Sequence, residues 1–128
     1  MSATVLTTTA ISVTQKLGSV IVSGGSALTN QPIDTSAVGY GMIRISVLVL
    51  LLAGGGAVGQ SAVATLTCTN PDGTTTTLTT NPASGKVVGQ ASGLFWAATG
   101  LTMSYSVAPN GTDTFPPSCQ VVVNIEGL

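Results

Sequence analysis

Thr65-Leu66-Thr67-Cys68-Thr69-Asn70-Pro71-Asp72-Gly73-Thr74-Thr75-Thr76-Thr77-Leu78-Thr79-Thr80 decides how this chain folds. Proline presets φ at the second position of a β-turn, and glycine takes the left-handed φ that a turn of this kind demands. Asn70-Pro71-Asp72-Gly73 is therefore a turn, and the segments on either side form a hairpin. On its first arm Ala62, Ala64, Leu66 and Cys68 alternate with Val63, Thr65, Thr67 and Thr69, the period of two that gives a strand one apolar face.

Outward from this hairpin the same grammar repeats. Strands are expected near Thr4 to Thr14, Leu17 to Val22, Met42 to Ala53, Ser61 to Thr69, Thr74 to Thr80, Gly93 to Ala98, Thr102 to Val107 and Cys119 to Glu126. Asn81-Pro82-Ala83-Ser84-Gly85 and Pro109-Asn110-Gly111-Thr112-Asp113 read as loops. Pro116-Pro117 must precede the last strand, because proline cannot donate to a sheet ladder. In that strand Cys119, Val121, Val123 and Ile125 share the core face, opposite Gln120, Val122, Asn124 and Glu126. No window holds a 3.6-residue apolar period with caps, and Thr, Val, Ile and Gly are poor helix formers.

Many short strands without helices to cover a parallel sheet give an all-β fold, an antiparallel β-sandwich of jelly-roll type. At 128 residues the chain is long enough for one core and too short for two. Residues 41–128 are expected to form the main sandwich, with residues 1–40 an N-terminal arm and first strands of the same domain.

The strand from Met42 to Ala53 departs from simple alternation. Ile43, Ile45, Val47, Val49 and Leu51 lie on one face, and Leu48, Leu50 and Leu52 make the other apolar as well. One face fills the sandwich; the leucine face needs a cover, from this chain or from another subunit. Full burial of a leucine is worth about 1.5–3 kcal/mol, so three contribute substantially to an interface. Phe95 and Trp96 are adjacent in an extended segment and point to opposite faces, leaving one of them outside. Leu48, Leu50, Leu52 and Trp96 are the candidate interface residues.

Only 5% of residues are charged, against about a quarter in ordinary domains, while the hydrophobic share of 44% is normal. Lys16, Arg44 and Lys86 are the only cations, too few to hold a nucleic acid backbone or an anionic lipid surface. The longest apolar run, Ile45 to Ala53, is far shorter than the roughly 20 residues a membrane helix needs, so neither nucleic acid nor membrane is expected as a partner. Met1-Ser2-Ala3-Thr4 carries neither the basic nor the apolar region of a secretory signal, and none is expected. A surface this poor in charge gives little protection against self-association, which points to a chain that packs against neighbours.

Chemistry is scarce. There is no histidine, and Asp34, Asp72, Asp113 and Glu126 are scattered, so no acid–base pair, no catalytic residue and no enzyme is expected. Cys68 and Cys119 lack metal-ligand spacing, and no metal or other cofactor is expected. They are free core thiols or a single cross-strand disulfide, with the missing signal favouring thiols. Gly54-Gly55-Gly56-Ala57-Val58-Gly59 lacks the ending of a phosphate loop and reads as a strand connection. Asn110-Gly111-Thr112 fits a glycosylation acceptor, but Asn-Gly is a preferred turn dipeptide.

Five stretches carry a resemblance: Gly41-Met42-Ile43-Arg44-Ile45-Ser46-Val47-Leu48-Val49, Asn70-Pro71-Asp72-Gly73, Ser92-Gly93-Leu94-Phe95, Leu101-Thr102-Met103-Ser104-Tyr105-Ser106-Val107 and Val123-Asn124-Ile125-Glu126-Gly127-Leu128. Together they resemble the small virion proteins of tailed bacteriophages, of the capsid decoration or cement type. The resemblance covers the chain from Gly41 onward and implies a short sandwich on the outer surface of the capsid. It also implies that the chain forms a homo-oligomer, with a trimer favoured, and binds the major capsid protein, reinforcing contacts between capsid subunits. The alternative is a receptor or carbohydrate-binding module of a phage tail or cell surface, with Trp96, Tyr105 or Tyr40 as stacking platforms. Thr4 to Thr14 then suits an arm that adds a strand to a neighbour.

Overall fold

The computed structural model describes residues 15–23, 27–36, 38, 40–52 and 58–127. Among them are eight strands: β1 (Gln15–Ser23), β2 (Leu28–Ile33), β3 (Gly41–Leu51), β4 (Val63–Thr69), β5 (Thr75–Thr79), β6 (Gly89–Ala97), β7 (Thr102–Ala108) and β8 (Ser118–Gly127). They form two four-stranded antiparallel sheets, ordered β1-β8-β3-β6 and β2-β7-β4-β5. The expected strand from Thr4 to Thr14 and the glycine run Gly54-Gly55-Gly56 lie outside the described residues.

The pairing is nested. β4 pairs with β5, β3 with β6, β2 with β7 and β1 with β8, all antiparallel, so the chain is one long ribbon doubled back on itself and rolled into two layers. Cross-pairs β3–β8 and β4–β7 close each layer. This is a jelly roll, as the sequence leads one to expect, and the turn at Asn70-Pro71-Asp72-Gly73 is the tip of its ribbon. There Gly73 N–H donates to the Asn70 carbonyl at 2.9 Å, Asn70 N–H donates to the Thr74 carbonyl at 2.8 Å, and Gly73 takes φ of 93°.

Alternation along each strand builds the core. Ile43, Ile45, Val47 and Val49 of β3 and Cys119, Val121, Val123 and Ile125 of β8 meet Ala64, Leu66 and Cys68 of β4 and Met103, Tyr105 and Val107 of β7 in one buried cluster. Phe95 is buried and Trp96 is outside, as adjacent residues of a strand must be. Two glycines of β6 are closely packed: a Cβ on Gly93 would stand 2.9 Å from Leu78 Cδ2 of the other layer, and one on Gly89 would meet Val49 Cγ1 of the neighbouring strand at 2.8 Å and the carbonyl of Asn81. β6 begins at Gly89, ahead of the expected Gly93.

β2 was not among the expected strands. It is an edge strand containing Pro32, which an edge tolerates, and its register with β7 shifts between Leu28 and Gln31, where Asn30 takes a positive φ of 51°.

Candidate interaction faces

The sandwich has two outer faces, and they differ in chemistry. On the β1-β8-β3-β6 sheet, register defines rows of side chains that run across the strands. Met42 lies beside Trp96, and Arg44 lies between Leu94 and Glu126. Ser46 sits between Ser92 and Asn124, Leu48 between Gln90 and Val122, and Leu50 beside Gln120. Trp96 is 57% exposed and Leu94 55%, whereas Leu48, Leu50 and Leu52 are half-buried. Among the described strands none stacks on this face.

Of the four candidate interface residues Leu48, Leu50 and Trp96 thus face outward and Leu52 follows just beyond β3, and they form two groups. Six residue steps of extended chain take β3 from Met42, the partner of Trp96, to Leu48, roughly 20 Å at 3.4 Å per step. Between the groups lie a row of small polar side chains and the Arg44–Glu126 ion pair, whose Nη1 and Oε1 are 2.9 Å apart. Leu94 completes the tryptophan end and was not singled out from sequence. Its signal was alternation: with Phe95 inward, both of its neighbours must point out.

The β2-β7-β4-β5 sheet turns a lattice of hydroxyls outward. Thr67 of β4 lies between Thr77 of β5 and Ser104 of β7. In the rows on either side Thr65 lies between Thr79 and Ser106, and Thr69 between Thr75 and Thr102. Part of the lattice is satisfied internally. Thr69 and Thr75 hydroxyls share a hydrogen bond of 2.9 Å, Thr75 Oγ1 donates to the Cys68 carbonyl, and Ser106 Oγ accepts from Asn30 N–H. Beyond Val63 and Ser106 a depression of about 210 Å³ opens against Ala108, Pro109 and Asn110. The alternation that turns Leu66 and Cys68 inward turns Thr65, Thr67 and Thr69 out, but only pairing with β5 and β7 gathers the hydroxyls into a surface.

Asn70 does more than turn the chain. It is buried, its Nδ2 donates to the Trp96 carbonyl at 2.9 Å, and its Oδ1 accepts from Ala98 N–H at 2.9 Å. One side chain thus ties the ribbon tip of one sheet to the end of β6 in the other. Asn81 holds the start of β6 in the same way, its Oδ1 accepting from Gln90 N–H at 2.9 Å and its Nδ2 donating to the Val88 carbonyl at 3.1 Å.

Among the described residues the acidic groups and thiols do not converge. Asp34 accepts from Ser36 N–H and Asp72 from Thr74 N–H, and these bonds hold both carboxyls below their ordinary range. Asp113 lies in the loop before β8, and Glu126 pairs with Arg44. Cys68 and Cys119 are buried, unpaired and on opposite sheets; burial pushes the Cys68 thiol up to about 12 and the Cys119 thiol up to about 11. Thiols this hard to ionise are poor nucleophiles. Of the proposed stacking aromatics, Tyr105 is in the core, while Tyr40 is 48% exposed and lines a cleft of about 300 Å³ with Thr35, Ser36 and Thr99.

No family model matches the chain, and no curated protein matches it by sequence. Among solved structures it is similar to the PRD1 vertex protein P5, with a TM-score of 0.52 and 14% identity over 92% of this chain and 99% of that one. The globular domain of zebrafish complement 1qA protein aligns less closely, with a TM-score of 0.45 and 13% identity over 84% of this chain and 92% of that one. The first likeness is one of fold.

Proposed function

We propose that this chain is a structural virion protein of the capsid decoration type, which binds the outer surface of a phage head and stabilises contacts between major capsid subunits. Its action is binding, without catalysis, and it works as a homo-oligomer, with a trimer favoured. The observation that carries the reading is the outer face of the β1-β8-β3-β6 sheet, where Leu94 and Trp96 stand exposed at one end and Leu48, Leu50 and Leu52 remain half-buried at the other. Aromatic and aliphatic side chains presented on a rigid sheet are what a protein interface uses as anchors. Low charge supports the same reading, since a surface with few ions is cheap to desolvate against a neighbour. The fold shared with a vertex protein adds support at the level of architecture.

Purified protein should sediment as an oligomer and bind expanded, empty heads. Leu94→Ser with Trp96→Ser should weaken that binding while leaving the circular dichroism spectrum unchanged. A monomer with no affinity for heads would sink the reading.

A further inference from the structure

We propose that the hydroxyl lattice on the β2-β7-β4-β5 sheet is a binding surface for a neutral glycan. Four observations converge on that partner. The lattice is free of charge: across β5, β4 and β7 every side chain in its three rows is Thr or Ser, with Pro32 of β2 beside Ser104 at the edge, so no side chain there forms an ion pair with a phosphate, a carboxylate or an ammonium group. It is regular, because neighbouring strands stand about 4.8 Å apart and alternate residues about 6.7 Å apart, which repeats the same group in two directions. Among the described residues, the hydroxyls of Thr65, Thr67, Thr77, Thr79 and Ser104 hold no protein partner, and each both donates and accepts. Finally, the lattice runs into the depression of about 210 Å³, where Val63, Ala108 and Pro109 offer apolar wall and the exposed Asn110 an amide.

A saccharide chain has the matching character. Its rim of hydroxyls donates and accepts as Thr and Ser do, its C–H faces pack on small apolar groups, and a neutral one brings no charge to desolvate on a face that has none to offer. A second copy of this chain is a poorer occupant: the lattice lacks the large apolar side chains that drive association, and the opposite face of the sandwich has them. In a two-layer fold the lattice also points away from Leu94 and Trp96. On the reading that those residues dock on a shell, it faces outward; glycan binding itself does not depend on that reading.

The test uses the full chain in solution, without capsids, so its outcome is separate from any shell-binding result. Columns of dextran, mannan and laminarin are the probes, with heparin as the anionic control. Retention on at least one neutral column is expected, falling at least tenfold in Thr67→Val with Thr77→Val, substitutions that delete hydroxyls while keeping β-branched side chains. Trp96→Ala should be retained like the parent. Amide shifts on titration with the retained polysaccharide's oligosaccharide should centre on Thr65, Thr67, Thr77 and Ser104, with the melting temperature of the double variant close to the parent. Failure of all three neutral columns to retain the protein would overturn the proposal. So would stronger retention on heparin, shifts centred on Trp96 or Tyr40, or a double variant that loses self-association instead of glycan retention.

Discussion

The two sheets share one core but part company outside it. Behind Ile45 and Val47 the outer face of β3 carries Met42, Leu48 and Leu50; behind Leu66 and Cys68 the outer face of β4 carries Thr65, Thr67 and Thr69. Strand periodicity makes this separation possible, because alternate side chains answer to different surroundings and change independently. The inner faces are set by packing density, which tolerates little variation; the outer faces are free to be apolar on one sheet and hydroxylated on the other. The fold and the outward contacts of the molecule are thus written in interleaved residues of the same strands.

The strongest challenge to this comparison is to cut equally into the two inner faces. Ile45 and Leu66 are both completely buried, one from each sheet. Ile45→Ala and Leu66→Ala should each cost about 2–5 kcal/mol in urea unfolding, through lost transfer energy and the cavity left behind. If Ile45→Ala cost under about 1 kcal/mol while Leu66→Ala cost the full amount, β3 would draw its stability from its outer face, and the sheets would not be equal partners inside.

A second cut goes between the layers. Removing the Asn70 side chain strands the Trp96 carbonyl and the Ala98 N–H, neither fully exposed, and Asn70→Ala should cost about 1–3 kcal/mol. Asn70→Asp keeps an acceptor for Ala98 but sets an oxygen against the Trp96 carbonyl, so it should recover only part of the loss. Hydrogen exchange at Ala98 measures this directly: faster in Asn70→Ala, protected in Asn70→Asp. Unchanged exchange in both variants would mean that the layers are held in register by packing alone.

Asn70 also marks how far the sequence can be read. Pro71 and Gly73 announce the turn through their own backbone preferences, which are local and therefore legible, and the nested ribbon follows from that tip outward. The amide bonds from Asn70 to β6 join residues 26 and 28 positions away, and no pattern around Asn70 hints at them. β2 was missed for the opposite reason: Asn30 and Pro32 are locally wrong for a strand, and only its place at a sheet edge admits them. The outward direction of Leu48, Leu50 and Trp96 was legible from alternation. Their division into two groups was not, because it depends on β3 and β6 running antiparallel with Met42 opposite Trp96. The hydroxyl lattice, likewise, needs three strands in register before scattered Thr and Ser become a surface.

The buried thiols sharpen the comparison by titration, one from each sheet. Both have a folded pKa above the ordinary 9.0, because burial disfavours the thiolate. Above pH about 9 the unfolded chain releases these protons while the folded chain keeps them, so the unfolded state binds fewer and stability falls as pH rises. The contribution is intact below pH 9 and is lost progressively toward the folded values of about 11 for Cys119 and about 12 for Cys68. Tyr105, also raised by burial, adds to the fall above pH 10. Urea midpoints should therefore drop across this window, and Cys68→Ala with Cys119→Ala should flatten the drop. A parent curve already flat from pH 9 to 11 would show water reaching between the sheets.

The smallest effect is expected at the Arg44–Glu126 pair, which joins β3 to β8 across the apolar face. Both side chains are well exposed, and such pairs contribute about 0–1 kcal/mol, less in high salt. Arg44→Ala should barely move the urea midpoint of the isolated chain. Association is a different matter, because Arg44 sits beside Leu94 on the face proposed to be covered. Under a partner, Arg44→Ala leaves Glu126 desolvated without its counter-ion, whereas Arg44→Ala with Glu126→Gln leaves no charge there at all. The single variant should therefore bind heads more weakly than the double variant, although the two are equally stable alone. Equal binding by both would mean that this row stays wet, moving the contact away from the centre of the sheet toward Trp96 or the leucines.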